Sequence, residues 1–181
     1  MWRIRLDGFA ARSLSATATI AQCSAILRPY ARNILTCRVQ QASHGALDFF
    51  ILAFAGVAED DVTVLVDFWT YGCYNCVNTL PHVTKLYETY KDKGLVVVGI
   101  HTPEFPFERS AVNVQAALKR HGISYPVAQD NDSATWNAWR NQYWPAQYIV
   151  DQHGQIVFSH AGEGQYEEIE RTVRRLLNAT S

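Results

Sequence analysis

The chain lacks an excess of charge of either sign. Its 16 Lys and Arg residues nearly balance 17 Asp and Glu residues, which gives a formal net charge of −1. A protein that binds nucleic acid through many phosphate contacts needs a basic surface, so a nucleic-acid partner is not expected. A content of 48% hydrophobic and 18% charged residues is that of a soluble globular protein.

Long hydrophobic runs are also scarce. The stretch 49–55 reads FFILAFA and follows Asp48, whereas a helix that spans a bilayer needs about 20 apolar residues. Residues 1 to about 45 are basic and show no clear signal peptide, because they lack its compact apolar centre. We predict an N-terminal extension at 1–58, which is disordered, a targeting segment or the product of a wrongly assigned start. A single domain is predicted at 59–181.

Cysteine is rare, and four residues are too few for a small fold held together by disulfides. Cys73 and Cys76 form one Cys-x-x-Cys motif, while Cys23 and Cys37 are far apart and read as incidental thiols. Structural zinc needs four ligands, usually from two such tight pairs, so no metal is predicted. A lone Cys-x-x-Cys motif near a strand-helix-strand pattern indicates redox chemistry.

The Cys-x-x-Cys motif lies where a predicted strand meets a predicted helix. The run 62–68, VTVLVDF, is typical of a strand buried on both faces, and apolar residues then recur at three- and four-residue steps. The first turn of a helix has unpaired N–H groups and the positive end of the helix dipole, and both favour a thiolate. Cys73 is therefore the predicted nucleophile, and Cys76 is the predicted resolving thiol that closes a small disulfide ring.

The rest of the sequence predicts alternating strands and helices. The elements are a strand at 95–100, a helix at 107–121, a strand at 125–129, a helix with N-cap residues at 130–133, a hairpin at 145–160 and a helix at 166–177. Trp136, Trp139 and Tyr143 recur at helical spacing and are predicted to be core. His101 and Glu104 are predicted to lie in a loop at a strand end, where sites of α/β sheets assemble, so they could approach the thiols. The alternative for each is a solvated or structural loop residue.

The order of these elements resembles the thioredoxin-like α/β fold of the TlpA and redoxin-like branch. That fold has a central mixed sheet flanked by helices, with a strand-helix insertion after the Cys-x-x-Cys helix. The stretches WTYGCYNC, HTPEF, DNDSATWNAW and YWPAQYIVDQHGQI are most similar to the thioredoxin-like domain of the DipZ cytochrome c biogenesis proteins. The resemblance covers residues 62 to 178. It departs at Thr79, where many TlpA relatives carry an acid.

The resemblance implies roles for individual residues. Asp67 matches the buried acid that shuttles the proton of the resolving thiol, and burial at a strand end would raise its pKa toward neutrality. A capped or surface aspartate is the alternative reading of Asp67. Trp69, Trp144 and Pro145 match substrate-binding positions. Trp69 would pack beside the site, Pro145 would be the cis-proline that faces the disulfide, and Trp144 would offer backbone groups to an extended client.

The leading functional prediction is a thiol-disulfide oxidoreductase with no cofactor other than its Cys73/Cys76 disulfide. The resemblance implies a reductant of protein disulfides in an extracytoplasmic compartment, in a pathway such as cytochrome c maturation, with a possible membrane-embedded electron donor. One alternative is a thiol peroxidase of the peroxiredoxin type, because Thr70-x-x-Cys73 resembles its Thr-x-x-Cys motif, although Val66 stands where its proline is expected. A second alternative is a non-catalytic peptide-binding module.

Overall fold

The computed structural model of the protein describes residues 34–35 and 62–179. The strands are β1 (Ile34–Leu35), β2 (Thr63–Trp69), β3 (Leu95–His101), β4 (Val127–Gln129), β5 (Ala146–Val150) and β6 (Ile156–Ala161). The helices are α1 (Tyr74–Tyr90), α2 (Ala111–His121), α3 (Ala134–Ala138) and α4 (Tyr166–Ala179). Apart from β1, the predicted extension at 1–58, with Cys23, Cys37 and the apolar run 49–55, lies outside the described residues.

The strands form one mixed sheet in the order β1-β4-β3-β2-β5-β6. β2, β3, β4 and β1 are parallel, whereas β5 pairs antiparallel with β2 and with β6. Parallel neighbours need a crossover connection, and α1 supplies it between β2 and β3. A further strand and helix, β4 and α3, precede the hairpin of β5 and β6. The predicted mixed sheet with a strand-helix insertion after α1 is confirmed.

The sheet separates two apolar cores, because successive side chains of a strand point to opposite faces. β2 directs Leu65 and Trp69 into the larger core, which α1, α2 and α4 complete. Val64, Val66 and Phe68 of the same strand lie in the smaller core on the other face. Asp67 shares the register of Leu65 and Trp69, so its carboxyl group points to the face that α1 covers.

Helix α1 begins directly after Cys73 and carries Pro81 in its interior. The buried face of α1 includes Cys76, Leu80, Val83 and Leu86, at the spacing of an amphipathic helix. The chain leaves the following 3₁₀ turn, Lys91–Lys93, through Gly94 in the left-handed region at φ 96°. A residue without Cβ adopts that conformation without strain.

Two details of the sequence prediction are wrong. Phe107 is not part of α2 but lies in a 3₁₀ turn, Pro106–Arg109, and α2 begins after Ser110, whose hydroxyl accepts the N–H of Asn113 at 3.4 Å. Tyr143 is 61% exposed rather than core. Helix α3 has already ended, and the left-handed φ of 53° at Arg140 breaks the helical spacing that linked Tyr143 to the tryptophans.

Candidate active site

The two cysteines lie at the N-terminus of α1 as free thiols. Cys73 is the N-cap residue, and its sulfur accepts the backbone N–H of Cys76 at 3.2 Å. A sulfur in this position receives both a hydrogen bond and the positive end of the helix dipole, which stabilise a thiolate. Cys73 is partly exposed, whereas Cys76 is 1% exposed. A macromolecular partner can therefore reach Cys73 and not Cys76.

Cys76 is held as a protonated thiol by its surroundings. Burial raises the pKa of Cys76 far above its ordinary value, and the hydrogen bond with Cys73 raises it further. The negative charges of Cys73 and Asp67 act in the same direction, and a backbone hydrogen bond with Thr70 opposes them. A thiol of this kind needs a base close by before it can act as a nucleophile.

Asp67 is the buried acid next to this thiol. Burial raises the pKa of Asp67 from 3.8 to about 7, against a weaker opposing effect of a hydrogen bond from Gln147. The Gln147 amide lies directly across the β2–β5 pair and donates to Asp67 Oδ1 at 3.4 Å. Asp67 Oδ2 makes no hydrogen bond within the described part of the chain. The free oxygen and the shifted pKa suit a group that takes up and releases a proton near pH 7.

The backbone of β3 beside Asp67 lies close to two large aromatic rings. Gly99 of β3 pairs in register with Asp67. A Cβ atom at Gly99 would lie 2.9 Å from Trp69 Nε1 and 3.2 Å from Tyr125 Cε2. Glycine at this position therefore leaves room for both rings. The phenol of Tyr125 is fully buried, and the charge of Asp67 adds to the burial that raises its pKa well above 10.

The Trp144–Pro145 peptide bond is cis. Ala146 pairs with Phe68 near the end of β2, so Pro145 lies at the same end of the sheet as the cysteines. The indole of Trp144 donates to the carbonyl oxygen of Thr102 at 3.0 Å, and its ring packs on Trp136 with centroids 4.0 Å apart. The loop before β5 is thus tied to the loop that follows β3.

Trp69 does not lie where a substrate could touch it. Its side chain is 0% exposed and packs in the larger core. The physical reason is that β2 is covered on both faces of the sheet, and the register of Trp69 directs it into the larger core beside Leu65. The substrate-binding prediction for Trp69 is corrected to a core residue beneath the site.

The sequence places both His101 and Glu104 in a loop that could approach the thiols, but His101 is the last residue of β3 and only Glu104 lies in the loop after it. His101 is buried, and its Nε2 lies 3.2 Å from Thr70 Oγ1. Its ring stacks on Tyr71 with centroids 5.5 Å apart, and burial lowers the pKa of His101 to about 4. The side chain of Glu104 is exposed. His101 therefore supports the loop before Cys73 as a neutral ring, and Glu104 faces solvent.

Sequence reasoning missed Glu108, which is 0% exposed beside the cysteine loop. Its Oε1 accepts the N–H of Gly72 at 2.7 Å, and its Oε2 accepts those of Glu104 at 2.7 Å and Phe105 at 2.8 Å. One buried carboxylate therefore joins the loop after β3 to the residue before Cys73. A glutamate in a short turn belongs to no periodic pattern. In the sequence its only distinctive feature is that it follows Phe105 and Phe107 and precedes Arg109.

Among residues 62–179, no group of three or more His, Cys, Asp or Glu side chains is arranged to hold a metal ion. The absence of a cofactor stays a prediction. In the same part of the chain, none of the helices combines the length and the apolar character that crossing a membrane requires.

Three known proteins show what the chain is similar to. Protein DipZ of Mycobacterium tuberculosis is 50% identical over 115 residues, which are 64% of this chain and 16% of DipZ. Thiol-disulfide oxidoreductase YkuV of Bacillus subtilis is 31% identical over 116 residues, which are 64% of this chain and 78% of YkuV. The solution structure of a thioredoxin-like protein in the oxidized form superposes with a TM-score of 0.62 at 29% identity, covering 69% of this chain and 86% of that one.

These similarities confirm the thioredoxin-like fold. The chain spans only 16% of the length of DipZ, so the match concerns a part of that protein. Residues 57–177 match the Redoxin family, which is more than half of the chain. The described residues, with the Cys-x-x-Cys motif at the start of α1, lie within this match except for β1 and the last residues of α4. The chain belongs to the Redoxin family.

Proposed function

We propose that the protein is a thiol-disulfide oxidoreductase that reduces disulfides of protein clients. The observation that carries the proposal is the partly exposed sulfur of Cys73, which accepts the N–H of the buried Cys76 at the N-terminus of α1. This arrangement stabilises a thiolate at the sulfur that a client can reach and keeps a second thiol within the same helical turn. The similarity to YkuV, a thiol-disulfide oxidoreductase, supports the same activity.

The reaction begins when the Cys73 thiolate attacks one sulfur of the client disulfide. The client S–S bond breaks, one client thiolate leaves, and Cys73 is joined to the client in a mixed disulfide. Asp67 then accepts the proton of the Cys76 thiol. The Cys76 thiolate attacks Cys73 Sγ, which releases the second client thiolate and forms the Cys73–Cys76 disulfide. Two electrons have passed to the client, and a dithiol donor must return them.

Trp144 and Pro145 are proposed to bind the client segment next to its cysteine. Pro145 has no backbone N–H and its carbonyl oxygen accepts the N–H of Gly162 at 2.8 Å, so the backbone groups of Trp144 are the polar groups that we propose for binding an extended chain. The hydrogen bond from the Trp144 indole to Thr102 supports this role, because it holds the loop at the cysteine end of the sheet.

The compartment and the electron donor are further parts of the proposal. We place the activity outside the cytoplasm, in a pathway such as cytochrome c maturation, with a membrane-embedded protein as the electron donor. The similarity to DipZ supports this compartment and pathway, because the motifs of this chain resemble those of the DipZ cytochrome c biogenesis proteins.

The two alternative functions are not favoured. A peroxiredoxin-type peroxidase needs a site specialised for peroxide, whereas here the N–H of Cys76 binds the Cys73 sulfur and a second thiol lies one turn away. A non-catalytic module has no use for the proton acceptor that Asp67 offers to Cys76.

Cys76→Ser is expected to accumulate mixed disulfides between Cys73 and its clients. The first attack remains possible, but no thiol is left to resolve the adduct. The variant is mixed with insulin that has intact disulfides, quenched by alkylation and separated on a non-reducing gel, with mass spectrometry to locate the linkage. Cys23 and Cys37 are Ser in every sample, so the matched control that also carries Cys73→Ser and Cys76→Ser has no thiol and should form no adduct. Adducts in the control, or none in the single variant, would contradict the assigned order of attack.

The Cys73/Cys76 couple is expected to have a reduction potential nearer to that of thioredoxin, about −270 mV, than to that of a strong periplasmic oxidant, about −120 mV. Burial and the carboxylate of Asp67 hold the Cys76 pKa high, so ionisation of this thiol adds little to the stability of the reduced pair. Equilibration in dithiothreitol redox buffers followed by alkylation measures the potential, in a background where Cys23 and Cys37 are Ser. A value near −120 mV would reverse the proposed direction and leave the exchange chemistry intact.

A further inference from the structure

Three large apolar side chains are exposed around Cys73. Tyr74, the next residue in the chain, is 78% exposed, and Phe105 and Phe107 of the loop after β3 are 43% and 56% exposed. The two phenylalanine rings are stacked, with centroids 5.6 Å apart and planes only 4° apart. We call Tyr74, Phe105 and Phe107 the aromatic face.

The aromatic face borders the cysteine loop directly. The tip of the Phe107 ring, Cζ, lies 3.6 Å from the point that a Cβ atom at Gly72 would occupy, and Gly72 precedes Cys73. The hydroxyl of Tyr71 donates to the carbonyl oxygen of Phe107 at 2.8 Å. A chain that brings its sulfur to Cys73 must therefore pass within reach of these rings.

The backbone of the turn that carries Phe105 and Phe107 is held by the buried side chain of Glu108. Its hydrogen bonds to the N–H groups of Gly72, Glu104 and Phe105 fix the 3₁₀ turn against the cysteine loop. Exposed apolar rings grouped beside a reactive residue typically mark a binding site.

We propose that the aromatic face binds an extended polypeptide segment with apolar side chains next to its disulfide-bonded cysteine. The inference rests on the proposed function and names the class of client. The occupant follows from position and chemistry, because the face adjoins the reacting sulfur and its three side chains carry no charge. A small disulfide has no side chains to place there and would not use it.

The test compares three disulfides with the prereduced protein. Two are peptides, identical except that Leu and Phe, or Ser and Ser, flank the disulfide-bonded cysteine, and the third is bis(2-hydroxyethyl) disulfide. Quenched alkylation gives the second-order rate constants. Phe107→Ala is expected to slow the apolar peptide about tenfold, and Phe105→Ala/Phe107→Ala to slow it further. The Ser peptide and the small disulfide should change less than about twofold.

Ile156→Ala is the matched control. Ile156 is 49% exposed on β6 and pairs with Val150, which lies opposite Val64 at the end of β2 remote from the cysteines. This variant should leave all three rate constants unchanged.

Three results would overturn the inference. An equal decrease of all three rate constants would mean that the rings affect the reactivity of the Cys73 thiol rather than the binding of the client. An unchanged rate for the apolar peptide in the double variant would mean that the rings contribute no binding. Dimerisation of the wild type that the double variant loses, with unchanged peptide rates, would assign the face to a second copy of this chain. If the wild type reacts with none of the disulfides faster than a free thiol, the proposed function itself fails.

Discussion

Cys73→Ser is expected to abolish disulfide exchange while the protein stays folded. Cys76 cannot replace the lost nucleophile, because it is 1% exposed and its pKa lies far above its ordinary value. Serine is a preferred N-cap residue, and its oxygen can accept the N–H of Cys76 that the sulfur accepts now. We therefore expect the rate of insulin reduction to fall to the uncatalysed level, with the free energy of unfolding within about 0.5 kcal/mol of the wild type.

The measurement needs a background free of other thiols. Cys23→Ser/Cys37→Ser provides it and serves as the active control, because neither residue belongs to the proposed redox pair. The reduction of insulin by dithiothreitol is followed with each protein, and urea unfolding reports stability. Substantial activity of Cys73→Ser in this background would show that another group attacks the client.

Asp67→Asn is expected to raise the free energy of unfolding at neutral pH and to leave the free energy of unfolding unchanged below pH 3.8. The folded protein holds the Asp67 pKa near 7, while the unfolded chain has the ordinary value of 3.8. Below pH 3.8 the carboxyl is protonated in both states. Between pH 3.8 and 7 only the unfolded state ionises freely, so the wild type loses stability as the pH rises. The difference of about three pKa units amounts to about 4 kcal/mol above pH 7.

Urea unfolding at several pH values between 3.5 and 8 measures this difference. Asparagine keeps the shape of the side chain and cannot ionise. The difference in the free energy of unfolding between the variant and the wild type should therefore increase with rising pH. Asp92→Asn in the exposed 3₁₀ turn is the matched control and should change stability by less than about 0.5 kcal/mol at every pH. A gap of constant size across the range would mean that Asp67 ionises at the same pH in both states, which would remove its role as proton acceptor.

The parts of the fold that the sequence predicts are those with a local signal. The run before Asp67 and the spacing after Cys76 are repeated patterns, so the strand and the helix that carry the cysteines follow from the sequence. The cis bond before Pro145 agrees with the prediction that the resemblance supplied.

The contacts that complete the site could not be predicted in the same way. Glu108 meets Gly72 across 36 positions of the chain, and Gln147 meets Asp67 across 80. Such contacts depend on sheet register and on the path of loops, for which a single sequence has no periodic pattern. Trp69 is different, because a strand predicted to be buried on both faces leaves neither register exposed to a substrate.

The hydrogen bond between Glu108 and Gly72 limits how this motif can be exchanged in protein engineering. A Cβ atom at residue 72 would lie 2.4 Å from Glu108 Oε1, so a graft that brings a larger residue there must also move the Glu108 side chain, which holds the loop after β3 through two further N–H groups. Tyr74 and Asn75, between the cysteines, are exposed and free of this constraint. Residues 74 and 75 can therefore be substituted to change the reduction potential without altering this contact. Residue 72 can be exchanged only together with the turn that carries Glu108, 36 positions further along the chain.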